Sequence, residues 1–220
     1  MPLTASGESA SLRNVLLPAL TAGLVAGMIA AILQQLFLVP LILQAEALEE
    51  AAHAHASGAG RLLYSLLFTC LGACGFALLL AGCYALRRGV NWRRGLLWGL
   101  AGFASFSLAP AIGLPPELPG AHAADLFARQ TWWVATAITT AAGLACVILP
   151  KSVPLKLLGV ALVALPHLIG APQAINVDSE LPADAVRAFV IGSLAISALM
   201  WLILGALTSA LMQRYAARAP

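Results

Sequence analysis

Charged side chains are scarce in this chain: only 10% of its 220 residues are Asp, Glu, Lys or Arg, whereas 61% are hydrophobic. Soluble domains carry about a quarter charged residues, so the composition excludes a soluble domain of useful size and predicts an integral membrane protein. The four cysteines all lie within apolar runs, which argues against the disulfide framework of a secreted protein. The first apolar run is too long for a signal-peptide core, so we interpret it as a retained membrane helix.

Signatures of catalysis are missing as well. The sequence contains no G-x-x-x-x-G-K-[ST] phosphate loop, so ATP hydrolysis by that route is excluded. It also lacks the H-E-x-x-H and G-x-S-x-G motifs and any spacing typical of c-type haem attachment or a zinc finger. We therefore predict that the protein is not an enzyme.

Apolar segments organise the whole chain and predict an all-α integral membrane protein, a bundle of six transmembrane helices. Residues 1–14 form a short N-terminus, 15–212 a single transmembrane domain and 213–220 a short tail. The fifth segment is short and contains glycine and proline, so it could be a kinked or partial span, which would leave five. The six segments are Val15–Leu43, Leu62–Leu86, Gly95–Gly113, Thr131–Leu149, Pro154–Ala171 and Val186–Met212.

The basic residues are divided unequally between the two ends of the predicted helices. Three of the twelve, Arg61, Arg129 and Arg187, lie at one end. Under the positive-inside rule, the end with the other nine is cytoplasmic and both termini lie inside. A five-span chain would place one terminus outside and spoil this division, so six spans are favoured. The nine are Arg13, Arg87, Arg88, Arg93, Arg94, Lys151, Lys156, Arg214 and Arg218.

Acidic residues and histidines show the opposite preference. Every acidic residue except Glu8 lies on the outer side, and so do all four histidines if His167 lies in the outer half of the fifth helix. An acidic, histidine-bearing outer face would concentrate cations before they cross the membrane. The alternative is that outer loops lack basic residues and simply contain the polar residues that remain.

The densest group of such side chains follows the first apolar segment. Glu46, Glu49, Glu50 and His53 fall at i, i+3, i+4 and i+7, so a helix would place all four on one face. Carboxylate oxygens and imidazole nitrogens suit a divalent first-row metal. His55 could share that ion only if the helix has ended by then. The alternative interpretation is a solvated acidic helix at the membrane surface.

A second group lies in the proline-rich outer loop Leu108–Trp133. Its prolines cannot continue a helix and impose a stiff, extended path. Glu117 and His122 are candidate ligands of a second site, although a lone loop histidine is usually just solvated. Asp125 and Arg129 stand at i and i+4, so we predict that they pair at the start of the fourth helix.

Inside the spans there is almost no charged residue, which argues against a proton relay built from carboxylates. The interior polar groups include Gln34, Gln35 and His167, which follows Pro166. Proline removes a backbone donor and frees the carbonyl near Leu162, which could coordinate a cation where it lines a cavity. We hypothesise that His167 marks the outer mouth of an ion path and that the two glutamines face it. The alternative is a kinked helix end with an interfacial histidine.

Several stretches resemble one family. They are EALEEAAHAHA after the first segment, the proline-rich loop with the Thr131-Trp132-Trp133 that follows it, Pro166-His167, and the acidic Asp178–Arg187. Over Leu12–Met212 the chain resembles the predicted cobalt transporter subunit CbtA family. The resemblance implies a bacterial inner-membrane protein of five or six spans that takes part in cobalt uptake for cobalamin synthesis. It also implies a partner, a single-span subunit, CbtB, with a short histidine-containing tail.

Two functional hypotheses follow. The first is a permease that moves Co²⁺, or a related divalent ion such as nickel, inward. The second is a membrane scaffold or metal-binding subunit that does not itself conduct the ion. We expect no cofactor besides the transported ion, and as partners the lipid bilayer and the small subunit, with no nucleic acid. The predicted outer metal ligands are Glu46, Glu49, Glu50, His53, His55, His122 and His167.

Overall fold

The structure is a computed structural model, and it describes residues 5–49, 58–87, 90–121, 123–173 and 181–217. In these ranges the chain forms six helices and no strand. Two of the helices contain a π-helical segment, where the backbone is locally wider than an α-helix. The helices are α1, Ala5–Leu33 continuing through the π-helical Gln34–Leu38 into Val39–Glu49; α2, Gly58–Leu86; α3, Trp92–Phe103 continuing through the π-helical Ala104–Leu108 into Ala109–Gly113; α4, Leu126–Ile148; α5, Val153–Ile169; and α6, Ala183–Ala217.

Helix length and composition confirm the predicted class, an all-helical membrane protein. Within the described ranges, α1, α2, α3, α4 and α6 are long and apolar enough to cross a bilayer. The remaining helix, α5, has 17 residues, or about 26 Å at 1.5 Å per residue. That is slightly less than the roughly 30 Å hydrocarbon core, so α5 matches the short fifth segment that the sequence predicts.

The chain divides into two compact units, and three of the helices contribute to both. The first unit contains α2 and comprises Met1–Gln35, His55–Leu100 and Ile196–Pro220. The second contains α4 and α5 and comprises Leu36–Ala54 and Ala101–Ala195.

In the first unit, small residues bring α1 and α2 together as an antiparallel pair. A Cβ added at Gly23 would lie 2.5 Å from the Cα of Cys74, and one at Gly27 would lie 2.8 Å from the Cα of Cys70. Such spacing leaves no room for a side chain, and close approach of this kind is how membrane helices gain packing contacts. The thiol of Cys74 also lies 3.8 Å from the carbonyl oxygen of Leu20.

The same unit contains a second antiparallel pair, formed by α3 and α6. A Cβ at Gly95 would overlap the carbonyl oxygen of Gly205, and one at Gly99 would overlap that of Trp201. The hydroxyl of Tyr84 on α2 donates a hydrogen bond of 3.1 Å to the Gly205 carbonyl oxygen, which ties α2 to this pair. Gly95 meets Gly205, and Gly99, one turn later on α3, meets Trp201, one turn earlier on α6. The two helices therefore run in opposite directions.

The number of spans stays between five and six. Five helices in the described ranges are long and apolar enough to cross a bilayer, and α5 is shorter. The antiparallel contact of α3 with α6 is compatible with a crossing by α5. Six spans stay the prediction that the division of basic residues favours.

In the second unit, α4 and α5 form a hairpin. A Cβ at Gly143 would lie 2.6 Å from the carbonyl oxygen of Gly159 and 2.7 Å from a methyl carbon of Val163. Towards the other end of the pair, the rings of Trp132 and His167 meet edge-on with their centroids 6.1 Å apart. These contacts fix the antiparallel register of the hairpin over most of its length.

Candidate functional site

The predicted cluster that follows the first apolar segment is only partly within the described residues. Helix α1 continues to Glu49, which confirms a helical path through Glu46. Glu46 is half-buried, whereas Glu50, His53 and His55 lie outside the described residues, as does the side chain of Glu49. In the described part of the chain, no three His, Cys, Asp or Glu side chains come close enough to hold a metal ion. The cluster stays a prediction.

In the outer loop, the predicted ion pair between Asp125 and Arg129 is wrong. Arg129 donates from Nη2 to Oε2 of Glu117 at 2.6 Å. Asp125 instead caps α4, accepting a hydrogen bond of 2.9 Å from the backbone N–H of Ala128. The i, i+4 rule applies within a helix, but Asp125 precedes the first helical residue, where a carboxylate satisfies a free N–H group.

The pairing also bears on the second predicted ligand group. Glu117 forms a half-buried salt bridge with Arg129. The guanidinium group competes with a metal ion for this carboxylate. Its proposed partner, His122, lies outside the described residues. The bridge therefore favours a structural role for Glu117, which fastens the proline-rich loop to the start of α4.

His167 occupies the last turn of α5 and is half-buried. Pro166, buried beside it, lies inside the helix and cannot donate to the carbonyl of Leu162. The helix ends at Gly170, whose φ of 89° favours glycine and whose N–H donates to the Pro166 carbonyl at 3.0 Å. His167 thus sits at the same end of the hairpin as Trp132, near the beginning of α4.

The two glutamines lie in the π-helical segment of α1. The Oε1 of Gln34 accepts a hydrogen bond of 3.0 Å from the hydroxyl of Thr69 on α2. The Nε2 of Gln35 is buried without a partner. Insertions of this kind in membrane helices are frequent at functional sites. Both glutamines belong to the first unit and His167 to the second, so the hypothesis that they face His167 stays a prediction.

A row of buried polar groups on α4 is absent from the sequence-based prediction. The indole nitrogen of Trp132 and the hydroxyls of Thr136 and Thr140 are buried without a hydrogen-bond partner. The three residues recur every four positions, which places them on one helix face. That spacing is visible in the sequence, but threonines in membrane helices usually bond their own backbone, so the spacing alone gave no reason to select them.

In the first unit, a long-range hydrogen bond joins the end of α6 to the residues just before α3. The Nε2 of Gln213 near the end of α6 donates to the carbonyl oxygen of Val90 at 2.8 Å. This contact brings Arg214 to the same end as Arg93 and Arg94 at the start of α3. Arg93 also lies over the ring of Trp92, 5.4 Å from its centroid, a position typical of the membrane interface.

The model of a family described as "Probable cobalt transporter subunit (CbtA)" matches residues 12–213. No curated protein and no solved structure matches the chain.

Proposed function

The chain belongs to the CbtA family of probable cobalt transporter subunits, and from this membership we propose that it conducts Co²⁺, or a related divalent ion, inward. The membrane is the bacterial inner membrane, and the imported ion serves cobalamin synthesis. Both termini and the Arg87–Arg94 turn face the cytoplasm. Glu46, Glu49, Glu50, His53, His55, His122 and His167 receive the ion outside.

The observation that carries this proposal is the separation of charge between the two ends of the helices. The contact between Gln213 and Val90 gathers basic residues at one end. In the sequence, Glu46 and His167 lie at the opposite ends of their predicted helices from the basic residues, which supports assigning them to the outer side. Basic residues mark the cytoplasmic side, so the carboxylates and imidazoles face the side from which an imported cation arrives.

The membrane potential is sufficient to drive this import. A divalent cation that moves inward across ~100 mV gains about 2 × 2.3, or about 4.6 kcal/mol. At about 1.4 kcal/mol per tenfold, that energy sustains roughly three orders of magnitude of accumulation. Outer ligands should hold the ion with modest affinity, because an ion held tightly by many ligands leaves too slowly to be conducted.

The word "subunit" in the family description implies a partner within a transporter complex. We propose that this partner is a small, single-span, histidine-containing protein similar to CbtB. Its histidines would add nitrogen ligands to an outer face on which this chain has four histidines in all.

A second candidate function is a membrane scaffold or metal-binding subunit that does not conduct the ion. It is favoured by the scarcity of charged residues inside the spans. In that case the pathway would lie in another protein, and this chain would bind the metal or the partner helix.

Cobalt uptake into liposomes tests the proposal directly. The purified chain is reconstituted alone and together with the small partner, and an inside-negative potassium diffusion potential is imposed. We expect radiolabelled cobalt to accumulate in at least one preparation and to stop accumulating when the potential is dissipated. Binding of cobalt without accumulation in either preparation would contradict conduction and support the scaffold function.

A further inference from the structure

Exposed arginines from two helices gather at one end of the first unit. Arg93 and Arg94 lie in the first turn of α3, and Arg214 lies in the last turn of α6. The hydrogen bond of 2.8 Å from Gln213 to the carbonyl oxygen of Val90 holds these two helix ends together. This end of the unit therefore carries a concentrated positive charge.

The chain supplies little negative charge to balance these arginines. In the sequence of the first unit the single acidic residue is Glu8, whose side chain lies outside the described ones. The start of a helix carries partial positive charge, so Arg93 and Arg94 are also unfavourably placed with respect to the dipole of α3. An anion from outside the chain would offset both sources of repulsion.

A tryptophan places the arginines at the depth of the lipid headgroups. Trp92 is 51% exposed, and the guanidinium carbon of Arg93 lies 5.4 Å from the centroid of its ring. Exposed tryptophans in membrane proteins are enriched where the hydrocarbon core meets the headgroups. The phosphates of the surrounding lipids lie at this level.

An exposed apolar face continues along α3 from the arginines towards the membrane interior. Leu97 is 66% exposed and Leu100 is 45% exposed. Together with Arg93 they fall at i, i+4 and i+7, so the three residues share one helix face. A molecule bound there would meet positive charge at one end and hydrocarbon along the rest, which is the pattern of a phospholipid.

We propose that Arg93, Arg94, Arg214 and Trp92 bind the headgroup of an anionic phospholipid. Guanidinium groups present N–H donors in a planar fork that matches phosphate oxygens, and each basic residue near the surface adds to the attraction of anionic lipid. The leucine face of α3 receives an acyl chain, which favours a lipid over free phosphate. The assignment of this lipid to the cytoplasmic leaflet rests on the proposed sidedness, whereas the binding itself does not.

Native mass spectrometry of the detergent-purified chain with added phosphatidylglycerol tests the proposal. We expect Arg93→Gln with Arg94→Gln to weaken phosphatidylglycerol binding by about tenfold to thirtyfold, since two positive charges are removed. Lys151→Gln with Lys156→Gln removes the same charge near the start of α5 and should change binding by less than about twofold. Arg214→Gln tests the same site from α6 and should weaken binding by about threefold to fivefold.

Three outcomes would overturn the assignment. Equal losses in the arginine and lysine double variants would mean that surface charge alone attracts the lipid. Equal binding of phosphatidylcholine by the wild type would remove the role of headgroup charge. Displacement of phosphatidylglycerol by millimolar inorganic phosphate would mean that the arginines bind a free anion.

Thermal stability separates lost binding from lost structure. Without lipid, the arginine double variant should melt no lower than the wild type, because it removes two positive charges from the start of a helix. Added phosphatidylglycerol should raise the melting temperature of the wild type but not that of the variant; equal rises in the two proteins would also contradict the site. None of these measurements depends on cobalt uptake, so they stand even if the proposed function fails.

Discussion

Gly205→Val is expected to disrupt the packing of α3 against α6 and to destabilise the protein by about 3 kcal/mol or more, the upper end of overpacking costs. A Cβ at this position would overlap the carbonyl oxygen of Gly95 and lie 2.8 Å from the backbone nitrogen of Gly99. Backbone atoms cannot move aside as the end of a flexible side chain can. The helices must therefore separate, which also removes the acceptor position that the Tyr84 hydroxyl uses.

Gly82→Val provides the matched control for this prediction. A Cβ at Gly82 meets nothing within 4 Å, so the same change of residue should leave stability nearly unaltered. Thermal denaturation in detergent, read by scanning fluorimetry and by loss of the monodisperse peak in gel filtration, compares the two variants with the wild type. If both variants melt together with the wild type, α3 and α6 do not pack as described.

The second large effect is expected at the outer face. Changing the three glutamates that follow the first apolar segment to glutamine, and the two histidines next to them to alanine, should lower cobalt uptake at limiting concentration by at least about tenfold. Mutating even the outer-shell partners of metal ligands typically costs about 10- to 100-fold in affinity, and this variant removes candidate ligands themselves. The five changes are Glu46→Gln, Glu49→Gln, Glu50→Gln, His53→Ala and His55→Ala.

A charge-matched control separates ligation from general attraction of cations. Asp178→Asn, Glu180→Gln and Asp184→Asn remove the same number of carboxylates from another outer segment. If uptake depends on metal ligation, the control should retain most of its rate, and the loss in the first variant should persist at high ionic strength. Equal losses in the two variants would mean that the outer face only concentrates cations electrostatically, and the assigned ligands would be wrong.

Hydropathy was sufficient to predict the membrane class and the approximate positions of all six helices. It could not decide whether the fifth helix crosses, because Val153–Ile169 lies near the lower limit of spanning length. The division of basic residues favours six crossings, and the antiparallel contact of Gly95 with Gly205 is compatible with that count.

The side chains were harder to predict than the helices. The sequence places Asp125 four residues before Arg129, but it does not show that the proline-rich loop returns Glu117 to the start of α4. The hydroxyls of Thr136 and Thr140 gave no distinctive signal, because only their lack of partners in the folded chain makes them unusual. The π-helical segments were not predicted either, because the hydrophobic pattern of a segment does not reveal where its helix widens.

Sidedness is tested most directly by labelling single cysteines, in a variant whose four native cysteines are replaced, with a membrane-impermeant maleimide. One cysteine replaces Arg88 in the basic turn and another replaces Ala121 in the proline-rich loop. In intact cells with a permeabilised outer membrane, the cysteine at 121 should react and the one at 88 should react only after the inner membrane is opened. Labelling of position 88 from the periplasm would invert the topology and contradict import through an outer face of carboxylates and imidazoles.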